Sequence, residues 1–555
     1  MKMRNIILAL GITIFSSTSC GKFLDTSLDL NRTNETVLTE RSSLWGFANA
    51  FYSPMMYGYN VIDKNIFASA SDEAQQTAAA SDVIYFNKGI INANVNPLSH
   101  FYVNCYEGIR AANFFLDYVS DGKGKALLEL NRNLITDAVA YERDLKSLDW
   151  YIAEAHIAKA YYYAELIKMY GGVPVIEQTM SQNGGALVSR SSYDEVVSYI
   201  VEEIDTWKDK LALNWNDYGE REGRFTLGGA LAIKSRVLLY AASPLHNPSG
   251  DREKWVKAAE AAKELIANAD LGYSLNPEYG DYFNGSTSLG SPESIFIVRR
   301  EASNDMEVRN YPISTSGGNS GVCPSHNLVD AYEYVGTPDP ENPYANRDPR
   351  LEASVVTNGS VWNGRTIAMA KGEKDDMTKA NATKTGYYLK KFLTDGLNLT
   401  QGQKAQHNWV IFRYAEILLN YAEAVNEAWG PSTKPAGYPM SALEALMLVR
   451  NRASMGLPDP DASSVDSFRN AVKHERRIEL AFEDHRYWDL IRWKDAVEVL
   501  NKPLTGVAIT KNGESYSYKT VNVADRVFQE RNYYLPFTRV EVENSKGTLE
   551  QNPNY

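Results

Sequence analysis

The stretch DWYIAEAHIAKAYYYAELIKMYGGVPVI, from Asp149 to Ile176, decides the fold. Apolar residues recur in it three and four positions apart, which is the spacing of one face of an α-helix. Alanines are interleaved with tyrosines, so a neighbouring helix can approach at the alanines while a ring fills the space opposite. Gly171 and Gly172 end the pattern, and Pro174 follows them. The stretch predicts a long helix that packs closely against other helices.

Similar amphipathic patterns occur in both halves of the chain. They cover residues 99–120, 193–212, 226–243, 252–269, 412–430, 441–454 and 467–500. Several combine alanine with large aromatic residues, which is the packing logic of stacked helix pairs such as tetratricopeptide units. The 34-residue consensus of those units is not repeated, so we expect degenerate pairs.

Residues 271–405 have a different composition, rich in Gly, Asn, Pro, Ser and Thr, as in GTPDPENPYANRDPR and TNGSVWNGR. Such composition predicts turns, long loops and short strands. Loops that interrupt a rigid scaffold often carry ligand contacts, although a solvated insertion without a function is the alternative. We therefore divide the chain into an N-terminal helical region (46–270), a loop-rich insertion (271–405) and a C-terminal helical region (406–555).

The first twenty residues have the layout of a secretory signal. Two basic residues precede the apolar run IILALGITIF, and small polar residues lead to Cys20. The sequence TSCG resembles a bacterial lipobox, which would make residues 1–19 a signal peptide and Cys20 the lipid-bearing first residue of the mature protein. Residues 20–45 are polar and are predicted to form a tether. A secreted protein cleaved elsewhere and a buried N-terminal element are the alternatives.

The sequence predicts no catalytic residue, metal site or cofactor. It lacks metalloprotease, phosphate-loop and esterase motifs, and its seven histidines show no metal-ligand spacing. His485 is expected to be a core histidine, and the Asp375–Asp376 pair is expected to face solvent. A glycosidase needs two carboxylates across a cleft, which sequence alone does not exclude. The net charge of −12 and the absence of a basic cluster argue against nucleic-acid binding.

Two further predictions concern the interior. Cys105 lies on an amphipathic pattern and is expected to be a small buried residue, with a disulfide to Cys323 as the alternative. A block rich in arginine and glutamate is expected to form partly buried ion-pair networks between helices. That block includes Arg476, Arg477, Glu479 and Glu483.

Several segments, in order, resemble the SusD/RagB family of outer-membrane lipoproteins of the Bacteroidetes. They include CGKFLD, SDEA, FNKG, YEGIRAANFFLD, ERRIELAFEDHRYWDLIRW and the closing QNPNY. The resemblance implies a mostly α fold, with four tetratricopeptide-like helix pairs packed against an irregular, loop-rich ligand-binding part with short strands. It also implies a lipid-anchored cell-surface protein of the outer membrane that binds oligosaccharides and delivers them to a SusC-like TonB-dependent transporter, without catalysis. A helical-repeat scaffold that binds no sugar, or a surface glycoside hydrolase, is the alternative.

Candidate ligand residues follow from the chemistry of sugars. Flat aromatic rings cover the apolar face of a sugar, and amide or carboxylate groups bind its hydroxyls. The candidates are Tyr85, Asn87, Tyr311 and Trp362, with Asp72, Gln76 and Asn94 as further polar groups. Many relatives place a tryptophan shortly after the FNxG segment, where this chain has Ile90 and Ile91, so the glycan class cannot be carried over. A packing role is the alternative for each ring, and Trp362→Ala is expected to weaken glycan binding with little loss of stability.

Overall fold

A computed structural model describes residues 41–180, 188–216, 223–452 and 455–555. The predicted signal peptide, Cys20 and the first part of the predicted tether lie outside the described residues. The end of that tether is helical instead, because a helix begins at Arg41. Leu44 and Ala48 lie one turn apart on this helix and are fully buried, so burial of an apolar face explains the difference.

Helices dominate the described part of the chain, as predicted. They are α1 (Arg41–Ala50), α2 (Ile84–Asn87), α3 (Ser99–Val119), α4 (Lys123–Glu129), α5 (Ala138–Tyr170), α6 (Tyr193–Trp207), α7 (Leu227–Ala242), α8 (Arg252–Ile266), α9 (Tyr279–Tyr282), α10 (Gly285–Ser288), α11 (Asp305–Asn310), α12 (His326–Val329), α13 (Arg350–Ser354), α14 (Tyr414–Trp429), α15 (Ala442–Arg450), α16 (Val465–Glu479), α17 (Arg486–Arg492), α18 (Ala496–Val499) and α19 (Arg539–Asn544). The alanine- and tyrosine-rich stretch from Asp149 forms the C-terminal part of α5, which ends at Tyr170, directly before Gly171 at φ +73°.

The strands pair in twos, and every pair is antiparallel. They are β1 (Ala74–Gln76), β2 (Ser294–Val298), β3 (Val322–Pro324), β4 (Val355–Val356), β5 (Val361–Trp362), β6 (Arg365–Thr366), β7 (Tyr388–Leu389), β8 (Trp409–Arg413), β9 (Leu504–Asn512) and β10 (Ser515–Ala524). The pairs are β1 with β3, β2 with β8, β4 with β7, β5 with β6, and β9 with β10. The β9–β10 hairpin differs from the sequence prediction, because it lies in a region predicted to be helical.

The long helices form a continuous packed array. In it, α3 packs on α5, α5 on α6, α7 on α8, α8 on α14, and α14 on α15 and α16. Small residues allow this packing, as the sequence indicated. A Cβ placed on Gly108 in α3 would lie 2.1 Å from the ring of Tyr162 in α5. The Tyr162 hydroxyl donates to the carbonyl of Phe51 at 2.7 Å, which fixes the ring between α1, α3 and α5.

Buried ion pairs join the loop-rich insertion to the C-terminal helices. Arg413, at the end of β8, donates to Glu293, Glu479 and Glu483 at 2.7, 2.7 and 2.6 Å. Arg452 donates to Glu293 and Glu479 as well. Although burial opposes ionisation, the surrounding arginines hold the pKa of Glu479 well below its usual range.

The predicted participants of these networks are confirmed. Arg476 pairs with Asp489 at 2.9 Å, and Arg477 pairs with Asp72 at 2.6 Å. His485 is buried, and burial together with nearby arginines holds its pKa well below the usual value, so it is a neutral core residue.

Two other sequence expectations have clear outcomes. Cys105 and Cys323 are buried free thiols and form no disulfide. The prediction that Asp375 and Asp376 face solvent is wrong, because both are buried. Asp375 accepts bonds from Arg365 at 2.6 and 2.7 Å, which gives this carboxylate a structural partner that the sequence spacing does not reveal.

The last residues of the chain contact the end of α5. The Asn552 side chain donates to the carbonyls of Tyr170 and Leu535 at 3.0 and 2.7 Å. It also accepts from Arg190 at 2.6 Å. The closing QNPNY motif therefore fixes the chain end to the point where α5 stops.

Candidate functional site

One strand pair brings two predicted ligand segments together. Strand β1 runs beside β3, with Gln76 opposite Val322, so the SDEA segment lies next to the loop after α11. Asn65 and Asn310 exchange side-chain amide bonds at 2.9 and 3.1 Å and hold the same two segments in place. The N-terminal loops and the loop-rich insertion therefore meet along this edge.

Two of the predicted rings, Tyr311 and Trp362, contact each other. Their centroids lie 6.1 Å apart in an edge-to-face arrangement. Both side chains are buried, with exposed fractions of 0% and 3%. The Tyr311 hydroxyl bonds to the carbonyl of Thr394, and the amide of Leu397 donates to that hydroxyl at 3.3 Å. Neither ring presents a face to solvent, so both stabilise the loops, and their predicted contact with sugar would require a rearrangement.

Asp72 lies in a different place, among arginines. It accepts from Arg486 at 2.8 Å and from Arg477 at 2.6 Å. Although burial opposes ionisation, these two guanidinium groups hold the pKa of Asp72 well below its usual range. The carboxylate is therefore fixed by its partners.

The remaining predicted residues differ in position and exposure. Tyr85 and Asn87 are half-buried on α2, and the carbonyl of Asn87 accepts from the amide of Val527 at 2.9 Å. Gln76 is half-buried, and Asn94 is exposed. Within the described residues, the side-chain oxygens of Gln76 and Asn87 are buried without a hydrogen-bond partner. The seven candidates therefore do not form one site, and their ligand role stays a prediction.

A cavity, which we name the tyrosine cavity, lies between the loop at 339–361 and the tip of the β9–β10 hairpin. Its volume is about 830 Å³. Three half-buried rings line it, together with three asparagine side chains, five carboxylates and one guanidinium group: Tyr344, Tyr516 and Tyr518; Asn342, Asn346 and Asn358; Asp339, Glu341, Asp348, Glu352 and Glu514; Arg347. This combination of flat rings and amides is the one that sugar recognition requires.

The hairpin positions two of these rings. Residues two apart on a strand point to the same face, so Tyr516 and Tyr518 lie side by side on β10. The tight turn is made by Gly513 at φ +65°, a conformation that favours glycine. The sequence carried a signal for this hairpin, because Asn512-Gly513 precedes an alternation of tyrosine and polar residues.

Direct bonds fix the cavity walls. The centroids of Tyr344 and Tyr518 lie 5.4 Å apart, edge to face. Asn358 donates to the Tyr518 hydroxyl at 3.2 Å, and the Tyr516 hydroxyl donates to Glu373 at 2.9 Å. Side chains separated by more than a hundred residues thus hold one another, and the cavity is formed before a ligand arrives.

The described residues show no group of three or more histidine, cysteine, aspartate or glutamate side chains arranged to hold a metal ion. Within that part of the chain, no helix combines the length and apolarity needed to cross a bilayer.

Two family models match the chain over two separate regions. The model described as the SusD family matches residues 292–555, and the model described as starch-binding associating with outer membrane matches residues 22–239. The chain therefore belongs to the SusD family, as its motifs indicated.

Individual relatives agree with this assignment. SusD-like protein P2 of Formosa agariphila is 24% identical over 442 residues, which cover 78% of this chain and 79% of that protein. The crystal structure of a SusD-like protein from Bacteroides fragilis has a TM-score of 0.75 at 25% identity and covers 94% of this chain and 99% of its own. A SusD-like carbohydrate binding protein from the same species has a TM-score of 0.73 at 24% identity, over 92% and 99% of the two chains. The predicted mostly α, SusD-like fold is confirmed.

Proposed function

We propose that this protein is a non-catalytic surface lipoprotein that captures oligosaccharides and delivers them to a SusC-like TonB-dependent transporter. The observation that carries the proposal is the tyrosine cavity: a member of the SusD family holds an open cavity lined by three tyrosine rings and three amides. A relative of the same fold is described as a carbohydrate binding protein, which supports the same function.

The tyrosine cavity is our proposed glycan site. Its rings can stack on the apolar faces of sugars, and its amides can bind the hydroxyls. Five carboxylates and one guanidinium group, that of Arg347, line the cavity, and this excess of negative charge makes it unfavourable for acidic sugars, so we infer a neutral glycan there. Tyr85 and Asn87 on α2, together with Gln76 and Asn94, stay proposed as further contacts for a longer glycan chain.

Binding is tested with a glycan array followed by calorimetric titration of the hits. Tyr516→Ala is expected to weaken binding by about 5- to 150-fold, since loss of one stacking ring corresponds to about 1–3 kcal/mol by analogy with ring stacking on bases. Tyr141→Ala is the matched control, because Tyr141 is also half-buried and hydrogen-bonded but lies at the start of α5. Equal affinity of Tyr516→Ala and Tyr141→Ala for the glycan would show that the tyrosine cavity is not the binding site. The absence of heat with every glycan would favour the alternative of a helical-repeat scaffold that binds no sugar.

Incubation with the same glycans tests the absence of catalysis, since released reducing sugar would indicate a hydrolase. Metabolic labelling with a palmitate analogue tests the anchor. Label is expected on the wild-type protein and not on Cys20→Ala. Co-purification of the transporter with the labelled protein would test delivery.

A further inference from the structure

A second concave site lies at the opposite end of the β9–β10 hairpin and has the opposite charge. We name it the arginine recess. Its volume is about 390 Å³, and its walls come from α12, α16, α17 and the base of the hairpin. The three buried or partly buried arginines that line it are Arg477, Arg486 and Arg526.

The positive charge of the recess exceeds the negative charge that faces it. Arg477 and Arg486 share the single carboxylate of Asp72. Arg526 is 5% exposed, and among the residues that the structure describes it donates only to backbone carbonyls, those of Ser71 and Ala74. Three guanidinium groups thus surround one buried carboxylate, on a protein whose net charge is −12.

The other charged groups nearby do not remove this excess. Burial raises the pKa of the neighbouring Glu73 to about 8, so this carboxyl is mostly protonated at neutral pH. On the rim, Lys502 pairs with the exposed Glu498, and Asp330 pairs with Arg347. The Lys502–Glu498 pair is exposed on both sides and is therefore weak, which leaves the Lys502 charge available to a ligand, while the Asp330 charge is offset by Arg347.

Two of these arginines also have a hydrogen-bond donor without an acceptor. Within the described residues, the Nε atoms of Arg477 and Arg526 are buried without a partner. An unsatisfied buried donor is costly, and most are satisfied by water, an ion or a ligand. Guanidinium groups are suited to carboxylate and sulfate, because their planar donors match the geometry of these anions.

One wall of the recess is apolar. It is formed by Val499, Leu500, Pro503 and Leu504, while Asn327, Thr505 and Thr520 contribute polar groups. A bare inorganic anion gains nothing from contact with an apolar wall, whereas the apolar face of a sugar ring can pack against it. The volume is near the lower end of the range for small-ligand pockets, which suits a short part of a glycan.

We propose that the arginine recess binds an anionic substituent, a carboxylate or a sulfate ester, carried on a sugar residue of the captured glycan. This inference rests on the proposed function, because it names a class of glycan for the same protein. The recess would select acidic glycans, while the tyrosine cavity with its carboxylates would hold neutral residues. The base of the hairpin forms part of the recess, and its tip forms part of the tyrosine cavity.

The test compares glucuronate, glucose 6-sulfate and glucose, with acetate and inorganic sulfate as anions that lack the sugar, by titration of the purified protein. At least one of the two anionic sugars is expected to bind tenfold or more tightly than glucose and than its bare anion, and to weaken as salt is added. Which of the two binds identifies the substituent. If acetate or inorganic sulfate binds as tightly as the corresponding anionic sugar, the recess holds an adventitious ion only, and the proposal is overturned.

Two charge reversals on the surface provide the matched pair. Lys502→Glu places a negative charge on the rim and is expected to weaken binding of the anionic sugar tenfold or more. Lys519→Glu makes the same change in net charge on β10, where Lys519 is exposed and does not line the recess, and is expected to stay within twofold of wild type. An equal effect of both variants, or of neither, would overturn the proposal.

The outcomes separate the two proposals. If neutral oligosaccharides bind and are lost in Tyr516→Ala, while no anionic sugar binds, the recess alone is refuted. If no glycan of either kind binds, the proposed function fails, and the inference about the recess fails with it.

Discussion

Asp72 and Glu73 are adjacent in the chain, yet their surroundings move their pKa values in opposite directions. Asp72 is buried beside two arginines, whose charges keep it ionised. Glu73 is buried with one bond from the backbone amide of Phe482, at 3.1 Å, and burial raises its pKa to about 8. The difference depends on which side of the backbone each carboxyl faces.

Glu73→Gln tests this assignment. The folded-state pKa of Glu73 lies above its unfolded value, so its contribution to stability is fully present below about pH 4.5 and is lost as the pH rises toward 8. We expect the wild-type free energy of unfolding to fall by a few kcal/mol relative to the variant between pH 5 and 8. Urea unfolding at several pH values measures the difference, and parallel pH profiles for the two proteins would contradict it.

Trp362→Ala distinguishes packing from ligand contact. The side chain is 3% exposed and packs on Tyr311, so the structure predicts a loss of about 3–5 kcal/mol of stability. This differs from the expectation based on the loop composition, which is a loss of glycan binding alone. Thermal unfolding and titration of the same variant measure both quantities, and an unchanged melting temperature with weaker binding would favour the interpretation from sequence.

For single residues, the sequence predicts burial correctly where the residue lies on an apolar helix face, and wrongly where burial depends on a partner that the fold brings close. His485 and Cys105 were correctly predicted to be buried, because both lie on apolar faces of helical patterns. Asp375 was wrongly predicted to be exposed, because its partner Arg365 is brought close by a turn that no spacing rule describes. The burial of Trp362 likewise depends on a loop from another part of the insertion.

Among the elements, the close contact between α3 and α5 gives a direct test of helix packing. A Cβ on Gly108 would overlap the ring of Tyr162, so Gly108→Ala is expected to cost about 1–3 kcal/mol. Gly46 is the control, because it lies inside α1 and a Cβ added there would have no atom within 4 Å. Gly46→Ala is expected to stabilise by about 0.5–1 kcal/mol, as alanine does at an open helical position. Equal effects in denaturant unfolding would contradict the packing argument.

The sequence analysis predicted the helices but missed the hairpin, although Asn512-Gly513 signals a turn there. The helical repeat can be read locally in segments such as 149–170. Most residues from 151 to 170 are buried, and the less buried ones, Ile152, His156, Ala164 and Lys168, are spaced by multiples of four along one side of the helix. The β9–β10 pair shows its hydrophobic alternation weakly, since most of β10 is half-buried or exposed. The tyrosine cavity depends on contacts between Tyr344 and Tyr518, which are far apart in the chain, so only the folded structure reveals it.

For the molecule as a whole, the buried arginine network connects the insertion to the C-terminal helices. Arg413→Met would leave three glutamates short of a partner, and we expect a loss of about 3–5 kcal/mol. Lys494→Met is the control, because its pair with Glu530 is exposed and should be worth about 1 kcal/mol or less. Thermal unfolding of both variants measures the contrast, and similar melting temperatures would show that the network contributes little.

The bonds of Asn552 to Tyr170, Leu535 and Arg190 have a consequence for the order of folding. Residues 170 and 552 are far apart in the chain, so the carbonyl of Tyr170 gains this partner only after the segments between them have packed. Asn552→Ala would leave the carbonyls of Tyr170 and Leu535 without these donors, and each loss is expected to cost about 1–3 kcal/mol if the group stays buried.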